Sequence, residues 1–239
     1  MARAILTLEE AAEHVHLSVN DLRHFAQRGE VHGIERDGEW RFEHRALDEW
    51  AQRNLLAASE RSLAEQHRSM SDENRRAHRS DWGVGAFFRA DGIDLALRAK
   101  GKGGVLRDLT ELAEATGLVY DKDALFQSLV EREEAASTAI GCGCAFPHAR
   151  YLDEFMFSES FIVYARAANA VYFGASDGEP TRHFFLVCTT DHEIHLHILA
   201  RLAVLVHGTD FVERLDAAET PEDALLALRG CEAGFMRNA

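Results

Sequence analysis

Nowhere in its 239 residues does the chain hold a run of eighteen apolar residues, so the sequence predicts no helix that crosses a membrane. The opening stretch MARAILTLEEAAEH turns acidic too early for a secretory leader, and the expected location is the cytoplasm. Positive charge is scarce. Lysine and arginine number 26 against 40 aspartates and glutamates, a formal net charge of −14. The deficit is uneven: residues 1–53 carry −4, residues 54–80 carry +1 and residues 81–239 carry −11. No segment therefore offers the dense basic surface that supplies non-specific nucleic-acid binding. Four cysteines in such a chain read as reduced thiols, not as a disulfide framework. What is present, 46% hydrophobic and 28% charged residues, suits a globular protein long enough for two domains.

The first domain is expected over residues 1–54. Thr7 is a good N-cap before LEEAAEHV, and Glu10 three residues later completes a capping box. Leu8, Ala11, Ala12 and Val15 recur at helical spacing. Ser18 can cap a second short helix, VNDLRHFAQRG, with Leu22, Phe25 and Ala26 inward and Gly29 at its end. Asp37-Gly38 is a hairpin signal between two strand-like runs, and HRALDEWAQRN closes the segment with Leu47 and Trp50 on one face. This order, together with Thr7, Glu10-Ala11-Ala12, Ser18, Leu22, Gly29, Gly38, Trp40-Arg41-Phe42, Leu47 and Trp50, resembles the excisionase and MerR-type winged helix-turn-helix domain. The resemblance implies that Asn20, Arg23, His24 and Gln27 face bases while Arg36 and Arg41 meet phosphates. Asp21, Glu35, Asp37 and Glu39 stand among them, which leaves protein contact or dimerisation open beside DNA binding.

Residues 55–80 read as a linker, polar in their second half. From 81 to 239 helical stripes alternate with β-rich runs. Leu106, Leu109, Leu112 and Ala113 mark one helix, Leu125, Leu129 and Val130 a second; FIVYARA (161–167) and HFFLVCTT (183–190) read as strands, and IHLHILARLAVLV as a later helix. Such alternation implies an α/β fold, a mixed β-sheet flanked by helices.

Within it lies EREEAASTAIGCGCAFPHAR, residues 131–150, where a charged helical stretch gives way to glycines and then to Pro147-His148. Glycine frees the backbone and proline fixes φ, so the histidine is expected on a stiff segment that displays it for chemistry. Arg132, Glu133, Ser137, Thr138, Ile140, Gly141, Gly143, Ala145, Pro147, His148 and Arg150 fall in register with the active-site pattern of the enzyme IIA domain of the sugar phosphotransferase system, fructose/mannitol and nitrogen-regulatory class, which this stretch resembles. Gly178, Pro180 and His195 extend the resemblance; Cys142, Cys144 and Thr189-Thr190 depart from it.

The resemblance implies that His148 accepts a phosphoryl group, with Arg132 and His195 beside it and Thr138, Gly141 and Gly143 holding phosphoryl oxygens. It implies HPr or a paralogue as donor, and a IIB domain or regulatory target as recipient. DNA and a second copy of the chain are further expected partners. No cofactor is expected. No metal is either, because Cys142, Cys144 and His148 lack a finger spacing. Three readings stay open: a phosphohistidine-accepting regulator with an attached DNA reader, a IIA subunit of sugar transport, or a non-catalytic interaction protein that keeps the fold.

Overall fold

Thr7 opens the first helix through a reciprocal cap. Its hydroxyl accepts the Glu10 N–H at 3.2 Å, while the Glu10 carboxylate accepts the Thr7 N–H at 2.9 Å. The computed structural model that contains this cap describes residues 5–15, 17, 19–36, 38–57, 83–150 and 156–238. Ser18, Asp37 and the part of the 55–80 linker beyond Ala57 lie outside the described residues. The chain divides into two compact units, Met1–Asp81 and Trp82–Ala239.

In the first unit, β1 (Ile5–Thr7) leads into α1 (Leu8–His14) and α2 (Val19–Gln27). A hairpin of β2 (Ile34–Arg36) and β3 (Glu39–Glu43) then precedes α3 (His44–Ala57). Gly29, at φ 71°, ends α2 as the sequence predicts, with the Glu30 N–H returning to the Phe25 carbonyl at 2.9 Å. β1 was not legible beforehand: three residues carry no periodicity. It pairs antiparallel with β3, Ile5 opposite Glu43, and makes the wing three-stranded in the order β1-β3-β2. Leu8, Ala11, Ala12, Leu22, Phe42 and Leu47 form the buried centre, and Phe25 meets the edge of Trp50 at 5.3 Å between centroids.

The second unit is built on a mixed five-stranded sheet, order β4-β7-β8-β6-β5. Its strands are β4 (Phe88–Leu97), β5 (Ala139–Gly141), β6 (Cys144–Ala145), β7 (Phe161–Val171) and β8 (Thr181–Cys188). β7 and β8 are antiparallel, while β4 runs parallel to β7 and β6 parallel to β8. β4, ten residues long, is not among the strands the sequence predicts. It is an edge strand with much of its length exposed, so it lacks the apolar run of β7 and β8.

Helices cover both faces, as alternate side chains of a strand must be buried on opposite sides. Val163 and Ala165 of β7 with Phe184 and Leu186 of β8 join one core with Leu106 and Leu109 of α4 (Lys102–Ala115) and Leu125 and Leu129 of α5 (Lys122–Ala135). On the other face, Phe185 lies 4.9 Å from Tyr164 and 5.9 Å from Phe211 of α7 (Phe211–Ala217). α6 (His192–Gly208) follows β8, and α8 (Pro221–Asn238) closes the chain.

Candidate functional site

β5 and β6 are joined by Cys142 and Gly143, both at positive φ (51° and 69°), with Gly141 at 88°. Two residues of that handedness are what a tight hairpin between twisted strands requires, and glycine supplies it cheaply. The Gly143 carbonyl accepts the N–H groups of Arg182 and His183, fixing the hairpin to the start of β8. From there the chain tracks β8: Cys144 lies opposite His183, and His148 opposite Val187, whose N–H reaches the Pro147 carbonyl at 2.9 Å. Gly141 and Gly143, expected to hold phosphoryl oxygens, thus stand at the other end of this run from His148, roughly 13–17 Å away at strand spacing.

Three of the expected residues do converge. His148 Nδ1 lies 2.8 Å from the Phe146 carbonyl, which can only accept, so Nδ1 carries the hydrogen. The lone pair is left on Nε2, where it accepts the Nε–H of Arg132 at 3.0 Å. Arg132, in the last turn of α5, also donates through Nη1 to the Ala136 carbonyl at 2.8 Å, one of the acceptors a helix end leaves open. His195, in the first turn of α6, places its ring 5.0 Å from that of His148 at 66°. Its Nδ1 is 3.0 Å from the Thr189 hydroxyl. Asp191 starts α6 by accepting the Ile194 N–H at 3.0 Å, so the helix start sets where His195 stands.

In one respect the sequence expectation is corrected. The His148 ring is 0% exposed, not displayed, with Phe146 and Ala149 buried beside it in the chain. Burial first, then the Arg132 guanidinium and His195, push its pKa well below the usual imidazole value. His148 is therefore a neutral imidazole at neutral pH, with a defined tautomer.

Thr138, expected to hold phosphoryl oxygens, turns both of its donors to a carboxylate in this structure. Its N–H and hydroxyl donate to Glu133 Oε2 at 3.0 and 2.5 Å, and Lys102 Nζ reaches Glu133 Oε1 at 2.9 Å. Glu133 is buried and ties the end of α5, next to Arg132, to Thr138 just before β5 and to Lys102 at the start of α4. Sequence reasoning gave Glu133 and Lys102 no role; the only signal was the Arg132-Glu133 pair itself.

In the first unit Asn20, Arg23, His24 and Gln27 recur at one-turn spacing along α2, with Arg23 half-buried and the other three exposed. Arg36 is exposed on β2, whereas Arg41 is paired with Glu39 at 2.7 Å.

A pH dependence of stability follows for the second unit. His183, whose Nδ1 is 2.8 Å from the Tyr164 hydroxyl, is also held down, to about 4, chiefly by burial. Both folded values lie below the unfolded imidazole value, so the unfolded chain binds more protons as pH falls through about 6.5. Stability is full above that pH and declines toward about pH 4, by roughly 1–3 kcal/mol for His183. Urea midpoints followed through methyl signals of Leu109 and Val163 should show this decline, and His183→Gln should reduce it.

In fold the chain is similar to nitrogen regulatory protein IIA-Ntr from Neisseria meningitidis, at TM-score 0.55 and 24% identity over 61% of this chain and 98% of that one. It is likewise similar to the IIA of the complex of enzyme IIA mannitol with phosphorylated IIB from Escherichia coli, at 0.52 and 20%, covering 60% and 99%. The architecture is that of a IIA domain. Residues 86–230 match the family model described as phosphoenolpyruvate-dependent sugar phosphotransferase system, EIIA 2, and the chain belongs to that family. Residues 5–55 match the model of a helix-turn-helix domain. By sequence, the fructose-specific EIIA component of Haloferax volcanii is 35% identical over 123 residues, 51% of this chain and 78% of its own length. The nitrogen regulatory protein of Bradyrhizobium diazoefficiens is 32% identical over 126 residues, 52% of this chain and 79% of its own.

Proposed function

We propose that the chain is a phosphohistidine-accepting regulator: His148 takes a phosphoryl group from the phosphohistidine of HPr or a paralogue, and the charge it gains alters what the helix-turn-helix unit does. The observation that carries this reading is the fixed tautomer of His148, with Nδ1–H held by the Phe146 carbonyl and the Nε2 lone pair toward Arg132. In the transfer, Nε2 attacks phosphorus in line, a new N–P bond forms, and the donor's N–P bond breaks with its electron pair returning to the donor imidazole. His148 then bears positive charge on its ring, which the Phe146 carbonyl balances at Nδ1–H. Because the ring is buried, transfer includes an opening step. Arg132 leaves Nε2 and turns its fork of donors to the phosphoryl oxygens, where His195 is the second group within reach.

The test is incubation with phosphoenolpyruvate, enzyme I and HPr, followed by mass spectrometry in alkali, where phosphohistidine survives. One phosphate per chain is expected; no uptake overturns the reading. A second reading, a IIA subunit of sugar transport, is favoured by the fructose-specific relatives and by the mannitol IIA found with phosphorylated IIB. Rapid onward transfer to a IIB domain would select it.

The helix-turn-helix unit is the proposed DNA reader. The exposed row on α2 supports this, yet the cations are few. If Arg36 and Arg41 supply the phosphate contacts, log affinity falls against log salt with a slope of about −2. A mobility shift across salt concentrations measures it, and absence of any shift assigns the unit to protein contact.

A further inference from the structure

The first unit holds a group of side chains that neither the phosphoacceptor chemistry nor DNA reading uses. His14, the last residue of α1, places Nε2 2.5 Å from Asp48 Oδ1; His44, the first residue of α3, places Nδ1 3.3 Å from Asp48 Oδ2. The two imidazole rings stand 4.3 Å apart, tilted at 44°. One ligand atom from each of the three side chains lies within 4.8 Å of the others. The Asp48 side chain is 8% exposed, those of His14 and His44 18% and 20%. A carboxylate so nearly buried carries a desolvation cost that nearby donors and positive charge offset, and two imidazoles stand within 3.3 Å of it.

We propose that His14, His44 and Asp48 bind a divalent transition-metal ion of the zinc class, bracing the end of α1 against the start of α3. Two imidazole nitrogens and a carboxylate oxygen are a donor set suited to such ions. Bonds of ~2.0–2.2 Å in tetrahedral geometry put ligand atoms roughly 3.3 Å apart. His44 and Asp48 already meet that spacing. Being four residues apart on α3, they share one helical face, and the helix itself presets half of the site. The His14–Asp48 contact must open, from a hydrogen bond to a ligand-ligand distance, and the three ligand atoms already lie within 4.8 Å of one another. The partial exposure of both imidazoles gives the ion a path in and leaves a fourth position for water. The ion takes the place of the His14–Asp48 hydrogen bond, with each imidazole bound through the ring nitrogen that faces the carboxylate. It also closes the stretch of chain that contains α2 and the wing, and so stabilises the arrangement of the reading helix on its neighbours.

The test uses the full chain carrying Cys142→Ser, because Cys142 Sγ lies 3.5 Å from His207 Nδ1 and offers a competing soft pair in the other unit. After chelator treatment, Zn²⁺ is titrated by calorimetry and Co²⁺ by its visible spectrum. One equivalent of ion is expected, with cobalt d–d bands and no thiolate charge-transfer band. His14→Gln and His44→Gln should each weaken binding by at least roughly 100-fold, since even partners that only orient a ligand are worth ~10–100-fold. Zinc should also raise the hydrogen-exchange protection of α1 and α3 amides in the unsubstituted His14/His44 protein, a readout that does not depend on either variant folding. The proposal is overturned if no ion binds, if either variant binds as tightly as the parent, or if protection of α1 and α3 is unmoved. Any of these leaves a hydrogen-bonded His–Asp–His bridge.

Discussion

Replacing His148 with alanine abolishes the uptake of acid-labile phosphate, with no residual label on His195, His183 or any other histidine. The expectation rests on tautomer and nucleophilicity together. A histidine accepts a phosphoryl group only through an unprotonated ring nitrogen, and the Phe146 carbonyl assigns that role to Nε2 of His148. His195 stands close enough to raise the question of a second acceptor, and its Nδ1 faces the Thr189 hydroxyl at 3.0 Å. Because the His148 ring is wholly buried, alanine leaves a void, and lost activity could reflect a loosened fold. His148→Gln answers that objection. It fills most of the space, retains a polar end for Arg132 and cannot form the N–P bond, so it too should show no label while melting near the parent protein. His195→Ala should slow transfer without abolishing it. Full labelling of His148→Gln would move the acceptor elsewhere and remove the basis of the proposed function.

Much of this site is legible in the sequence because its parts are close in the chain. Arg132 and His148 are joined through one helix end and one hairpin, and Gly141, Gly143 and Pro147 punctuate that stretch in a way side-chain composition alone would not. The capping box at Thr7 and the stop at Gly29 are legible for the same reason, being one-turn relationships. What escaped is of longer range or shorter pattern. Lys102 reaches Glu133 across the α4–α5 pair, and nothing in either helix announces the other end of the contact. Thr138 looks like a phosphate ligand when read beside the glycines, but the fold turns its donors to Glu133. The burial of His148 could not be read either. A Pro-His pair at the end of a short strand is exposed or covered according to which strand lies alongside, and β8 joins β6 through a parallel pairing that leaves no mark on either segment. His14 belongs with His44 and Asp48 only once α1 and α3 are brought together, though the four-residue spacing of the latter two was on view.

Replacing Arg132 with alanine should lower the rate of phosphoryl transfer by about 10²–10³-fold, the usual cost of removing one preorganised donor from a developing anion. Two separate effects act on the same step. The phosphoryl oxygens lose a planar cation whose spacing matches them. His148 also loses one of the influences that depress its pKa, second only to burial, so its value moves up toward the ordinary imidazole range. The sign of the pH effect follows. A higher pKa protonates more of Nε2 as pH falls, so the variant's rate declines toward acid at a pH where the parent remains neutral and active. A uniform loss at all pH values would mean that only phosphate contacts mattered. Arg132→Lys separates the two effects: it keeps a positive charge near the ring and should hold the pH profile close to the parent's, while losing most of the rate because the Nε–H to His148 and the Nη1–H to Ala136 cannot both be replaced by one ammonium group. The helix-end bond to Ala136 adds a stability cost of about 1 kcal/mol in either variant, too little to unfold the unit. Transfer at the parent rate in Arg132→Ala would show that the guanidinium beside His148 is a structural cap for α5 and that the donor protein brings its own cation to the reaction.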